Sequence, residues 1–355
     1  MNFHILAIDP GSTSTKLGVL WEGGLVKETI RHDRGLIDSF ESIFDQKEMR
    51  VNSIYAFLKS KGFDNLSFDA VVARGGLLKP IEGGIYLVNE SMLNDLRSGK
   101  YGVHAANLGG IVAHEFSLYF SCPAFIVDPP TIDEMDDVAK LTGFKDLTRK
   151  SKFHALNQRA AARKAAEELG RAYEEVNLIV AHMGGGVSIG AHKRGRVVDV
   201  NNALDGDGPY AVERTGSLPV GDLVRLIKDG KYTPDELLGI FSKKGGIYSY
   251  LGLTDMKEIE SMIENGDEYA KLVVDGFIYQ MAKEIGSLAC AFEGNIDGVV
   301  FTGGLAYSDY IVGHLKKRVS FLAPIFVFPG EFEIETLIDG ALRVLSGEER
   351  AKNYV

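Results

Sequence analysis

Short apolar stretches that stop at a glycine-rich turn and then resume set the pattern of this chain. The first is 6–19, LAIDPGSTSTKLGV, and the second is 178–189, LIVAHMGGGVSI. A third apolar run, 299–302, ends at Gly303 and Gly304. Runs of this length bounded by turn residues predict mostly buried strands, here over 3–8, 16–21, 68–73, 124–127, 177–181, 187–191, 196–200, 298–302 and 324–328. Apolar positions at helical spacing predict helices over 48–59, 88–96, 108–119, 157–169, 220–227, 234–241, 255–263, 269–292, 309–319 and 333–345. The alanine-rich 157–169 segment is the clearest helix of the first half, and Gly170 closes it.

After Gly170 the opening pattern restarts: strand, polar turn, strand, turn, strand. This predicts two related domains, 1–170 and 171–332, with the last helix, about 333–355, returning to the first. Sheets flanked by helices, with antiparallel strands opening each half, give an α/β class with mixed sheets. Composition changes this picture little. At 355 residues and 45% apolar content there is material for two cores. The formal net charge of −10 disfavours non-specific binding to nucleic acid or to an acidic membrane surface. The two cysteines, Cys122 and Cys290, make neither a disulfide framework nor a metal site. The opening NFHILAIDP runs into a strand without a basic segment and a long apolar stretch, and no apolar run reaches the roughly 18–20 residues needed to span a bilayer. A cytoplasmic protein with no membrane partner is expected.

The turns carry the candidate chemistry. In Asp9-Pro10-Gly11-Ser12-Thr13-Ser14-Thr15-Lys16, small residues allow backbone N–H groups to approach an anion, hydroxyls add donors, and Lys16 offers a point charge. It is not a P-loop, because GxxxxGK[ST] is absent and a strand follows. A polar hairpin without a ligand fits the same residues equally well. Gly184, Gly185 and Gly186 carry an entropic cost that an ordinary turn does not require, which favours anion binding there; the flanking His182 can donate to a phosphoryl oxygen or be structural. The Gly303-Gly304 turn can let a base or ribose lie against backbone. Arg74, at a strand end before two glycines, and Arg214, in a long polar loop, are planar multi-donor forks suited to carboxylate or phosphoryl oxygens, or else structural ion-pair residues. Asp9, Asp128 and Glu331 end or follow strands; brought together they would make a Mg²⁺ site, while singly each reads as a capping or solvated acid.

Several segments in order carry a resemblance: AIDPGSTSTKLGV, VVARGGLL, HAANLGG, IVDPPTIDEMDDVAKLTG, the long VAHMGGGVSIGAHKRGRVVDVNNALDGDGPYAVERTGSLP, VFTGGLAYS and FPGEFE. Together they resemble the acetate kinase family, in its butyrate kinase branch, within the wider actin/Hsp70/sugar-kinase superfamily. The resemblance implies duplicated ribonuclease-H-like (actin-like ATPase) domains. It implies reversible, direct in-line phosphoryl transfer between ATP and a short aliphatic carboxylate, with ATP/ADP and Mg²⁺ required, an acyl phosphate as product, and a homo-oligomer. By the same resemblance Arg74, Arg214, His182, His104 and Asp128 are catalytic. Gly184 to Gly186 lie on the phosphate side of the nucleotide and Gly303 and Gly304 on the adenosine side, while Gly11, Ser12, Thr13, Ser14 and Lys16 are candidate phosphate contacts on the chemistry of their turn alone. Asp9, Asp128 and Glu331 match the magnesium side, where acetate kinases carry asparagine in place of Asp9.

Three other readings stay open on the sequence. One is a kinase for a branched acid such as isobutyrate, or for acetate or propionate. Another is a non-catalytic actin- or Hsp70-like assembly protein, which would bind ATP but needs no pair of acid-binding arginines. A sugar kinase would share the fold, but its hydroxyl acceptor asks for a general base.

Overall fold

The structure, a computed structural model, describes residues 3–204 and 206–355. Two compact units divide the chain. One runs to Ile132 and regains Phe332–Val355; the other is Asp133–Glu331.

In the first unit, β1 (Ile5–Pro10), β2 (Ser14–Trp21) and β3 (Gly24–Arg31) form an antiparallel meander. β4 (Ala70–Arg74), β5 (Ile85–Leu87) and β6 (Ala124–Val127) extend the sheet beyond β1. The sheet order is 352–353, β5, β6, β4, β1, β2, β3, with β1, β4 and β6 mutually parallel. Every residue of β1 is buried, as a central strand covered on both faces requires, whereas β3 is the exposed edge. One layer holds the Lys47–Ser60 and Asn107–Phe120 helices, sharing a core with Leu6, Ile8, Val71 and Ile126. The Glu333–Leu345 helix lies on β1, β2 and β4 with Ile334, Leu337, Ile338 and Ala341 inward.

The second unit repeats the scheme. β7 (Asn177–Met183), β8 (Val187–Lys193) and β9 (Arg196–Val200) make the meander; β10 (Gly298–Gly303) and β11 (Ile325–Pro329) continue in parallel. The order is β11, β10, β7, β8, β9. The 21-residue Glu268–Leu288 helix buries Val274, Phe277, Met281 and Ile285 in the main core. Both sheets are mixed and helix-flanked, in the duplicated actin-like arrangement.

The division between the units falls at Ile132/Asp133 and not near residue 170. The Ala155–Glu168 helix explains the difference. Its Ala161, Ala162, Ala165 and Ala166 are small enough to seat it directly on β7 and β10, in a core with Leu178, Val180 and Val300. Among the described residues no helix is long and apolar enough to cross a membrane.

Candidate active site

The first turn joins the last residues of β1 to β2. Register puts Pro10 opposite Thr15, and the Gly11 N–H donates to the Ser14 carbonyl at 2.8 Å. Ser12 and Thr13 are exposed at its tip. Asp9 is 3% exposed, and its Oδ1 has no hydrogen-bond partner. Arg74, at the end of the neighbouring parallel strand β4, brings Nη1 to 3.8 Å from that oxygen and donates to Glu333 Oε1 at 3.0 Å. Lys16, expected to face phosphate, is committed to the other oxygen of Glu333.

Four charged side chains therefore meet at one strand edge: Asp9, Glu333, Arg74 and Lys16. Burial raises the Glu333 carboxyl above the ordinary range, and the Asp9 carboxylate beside it adds to the rise; Arg74 and Lys16 oppose it. Glu333 is absent from the expected site residues. Glu331, which was expected, is exposed and ends the other unit. Glu333, two residues later, opens the amphipathic last helix, whose apolar face seats that first turn on β1 and β2.

Asp128 follows β6 and adopts φ 39°, a left-handed conformation that aspartate tolerates better than bulkier residues. Its N–H donates to the Gly84 carbonyl at 3.0 Å, and its Oδ1 accepts the Gly84 N–H at 2.8 Å. Asp9, Arg74 and Asp128 thus end three adjacent parallel strands, the side of an open α/β sheet where ligands bind. Neighbouring strands lie about 4.8 Å apart, which separates the Asp9 and Asp128 backbones by roughly two such spacings. Among the described residues no three His, Cys, Asp or Glu side chains group as a ready metal cage. His104 is exposed just before the Asn107–Phe120 helix, and its Nδ1 takes the Ala106 N–H at 3.1 Å.

In the second unit, His182 is the penultimate residue of β7 and is buried. Its Nδ1 lies 2.9 Å from Asn157 Nδ2, an amide group that also reaches the Gly330 carbonyl at 3.3 Å. An amide NH₂ only donates, so the pattern assigns the His182 proton to Nε2. His154 stacks on His182 with ring centroids 4.0 Å apart and planes 18° from parallel. Ser188 Oγ accepts from Gln158 Nε2 at 2.7 Å and lies 2.8 Å from His154 Nδ1. The unit thus holds two stacked imidazoles, of which His182 presents an Nε2–H donor. His154 and Asn157 were missed. They sit at the entry of an alanine-rich helix, with no glycine turn or strand end to mark them.

Arg214 donates to the Ala203 carbonyl at 2.5 Å and lies against Gly186. A Cβ on Gly186 would stand 2.1 Å from Arg214 Nη1 and 2.6 Å from Cζ, so the glycine leaves room for a guanidinium. A Cβ on Gly185 would meet only Glu213 Oε2, at 3.2 Å. Gly303 has φ 88°, and a Cβ there would sit 2.4 Å from the Met183 carbonyl oxygen, so its glycine is explained by backbone packing. Gly304 faces open space.

A family model described as the Acetokinase family matches residues 127–320, more than half of the chain. The "Probable butyrate kinase" of Clostridium botulinum (strain Alaska E43 / Type E3) is 50% identical over 355 residues, covering 100% of both chains. "Butyrate kinase 2" of Clostridium acetobutylicum is likewise 50% identical over 100% of both. The chain belongs to the acetokinase family. Solved structures agree in fold. A Porphyromonas gingivalis acetate kinase aligns at TM-score 0.78 with 21% identity, over 96% of this chain and 99% of that one. A Francisella tularensis propionate kinase aligns at TM-score 0.76 with 19% identity, over 94% and 98%.

Proposed function

We propose that this acetokinase-family chain is a butyrate kinase: it exchanges a phosphoryl group reversibly between ATP and butanoate, giving butanoyl phosphate and ADP by direct in-line transfer. The observation that carries this reading is end-to-end identity of 50% with butyrate kinases. Both reactants are anions, so positioning and charge compensation dominate the work. The carboxylate is already ionised near neutral pH, and no strong general base is needed.

The first unit offers the residues for the metal and one side of the phosphates. Asp9, whose buried Oδ1 lacks a hydrogen-bond partner, fits a magnesium ion, with Glu333 beside it and Asp128 farther along the same edge. Glu331 remains a fourth candidate acid. A bound Mg²⁺ would neutralise phosphate charge and, as is usual for this ion, take most of its oxygens from phosphate and water. Gly11, Ser12, Thr13 and Ser14 would present amides and hydroxyls to phosphate. Arg74 and His104 would face the acyl and phosphoryl oxygens.

The second unit would supply Gly184 to Gly186 on the phosphate side, Gly303 and Gly304 beside adenosine, and Arg214 and His182 at the transferred group. His154 joins them through its ring, stacked on that of His182. A cytoplasmic homo-oligomer is the setting we expect. The test is ATP formation from ADP, Mg²⁺ and butanoyl phosphate, followed by luciferase light. Steady ATP production supports the assignment; none above the spontaneous rate overturns it.

A further inference from the structure

Among the described residues Arg50 is the largest fully buried side chain, with 0% exposure. It projects from the Lys47–Ser60 helix under the β1–β2 turn. Its Nη2 donates to the Gly11 carbonyl at 2.9 Å and the Ser12 carbonyl at 3.5 Å, and its Nη1 to the Ser14 carbonyl and Thr15 Oγ1, each at 3.0 Å. Gln46 Oε1 accepts from both Nη2 and Nε, at 2.9 and 3.3 Å. Every acceptor is neutral. Among the described residues Arg50 forms no ion pair, and burial pushes its pKa down to about 10. It still carries its proton at neutral pH, so a full positive charge is held beneath the turn without a counter-ion. A buried uncompensated charge is costly, and a purely structural role would be met by a carboxylate in place of Gln46.

We propose that Arg50 is a positioning residue for the nucleotide: it draws the turn's carbonyls inward and supplies, from below, the fixed positive charge that faces a polyphosphate. The anion completes the missing charge balance. This also accounts for a turn without a free lysine, since Lys16 is held by Glu333. The inference rests on reading the first turn as a phosphate-binding turn.

The decisive variant is Gln46→Glu. It places a carboxylate where Gln46 Oε1 already accepts two Arg50 hydrogen bonds, so contacts survive while the charge beneath the turn is cancelled. ADP binding in the presence of Mg²⁺ is measured by calorimetry, alongside thermal unfolding and the KM for butanoate. We expect ADP affinity to fall by at least about fivefold, the effect of losing one unit charge several ångströms away through partly screened protein. Thermal stability is unchanged or raised, and the butanoate KM moves by less than about twofold, since the acid is not held at this turn. Arg50→Lys, which keeps charge and loses the fork, retains more ADP affinity than Arg50→Gln at temperatures where both are folded. Gln46→Glu with wild-type ADP affinity overturns the proposal. Ser12→Asp separates the two levels, because it puts a carboxylate on the exposed tip. If it weakens ADP binding while Gln46→Glu does not, the role of Arg50 alone falls; if neither does, the phosphate reading of the turn falls with it.

Discussion

Replacing Gly186 with alanine moves one guanidinium and little else. The new Cβ would lie 2.1 Å from Arg214 Nη1 and 2.6 Å from Cζ. Non-bonded contact requires about 3.5 Å, so the guanidinium retreats by more than about 1 Å. That retreat breaks its 2.5 Å hydrogen bond to the Ala203 carbonyl. Gly186 lies outside the left-handed region, and the clashing atoms are the far end of a flexible side chain, so the fold tolerates the change. A misplacement of this size at a reacting group costs about a hundredfold in kcat, or roughly 2.7 kcal/mol of barrier. We expect Gly186→Ala to unfold within a few degrees of the wild type while its kcat for hydroxylamine-trapped butanoyl phosphate falls by about two orders of magnitude. The double variant Gly186→Ala/Arg214→Ala loses no more than Arg214→Ala alone, because both act through one group. A Gly186→Ala enzyme within about threefold of wild type, or losses that simply add, would refute the reasoning.

Three further outcomes follow from the site. The Glu333 carboxyl is raised by burial and by Asp9, so it holds a proton in the folded state above its unfolded value; stability from this group is full below about pH 4.5 and is lost as pH rises through the raised value. Glu333→Gln flattens that slope in urea titrations at several pH values while raising the Mg²⁺ concentration needed for half-maximal rate; an unchanged slope contradicts the assignment. His32, whose Nε2 pairs with Thr15 Oγ1 at 2.8 Å, is lowered by burial and then by Arg50, so its contribution is full above about pH 6.5 and is lost as pH falls through the depressed value; His32→Gln removes that loss, measured by the same titrations. Asn157→Leu frees His182 Nδ1, so ¹⁵N spectra should show a mixture of ring tautomers and kcat should fall by about tenfold; a single retained Nε2–H form would disprove the role of Asn157.

Much of the fold was legible because the apolar runs are short and the turns carry glycine. The strands around Asp9, Arg74, Asp128 and His182 appeared at their places because each run ends at a polar or glycine residue. Position across the sheet was not legible. The 157–169 segment announced itself as a helix, but its alanines say only that something packs closely, and β7 and β10 turned out to be the partners, which moved the unit boundary. Glu333 was hidden in a helix whose apolar face dominates its pattern. Nothing in the sequence sets Arg50 apart from the other polar residues of the 48–59 helix, since no local signal distinguishes a buried guanidinium from a solvated one. His154 owes its importance to the ring of His182, 28 residues away in sequence, and stacking leaves no trace in spacing.

The most direct test of the central claim is kcat/KM for a series of straight and branched acids of two to five carbons, with MgATP and hydroxylamine trapping. The account predicts acyl hydroxamate from several acids with a maximum at four carbons, and acetate at least about tenfold below butanoate, since each methylene is worth about 1–3 kcal/mol. Acetate equal to or better than butanoate, or no hydroxamate from any acid, would contradict it.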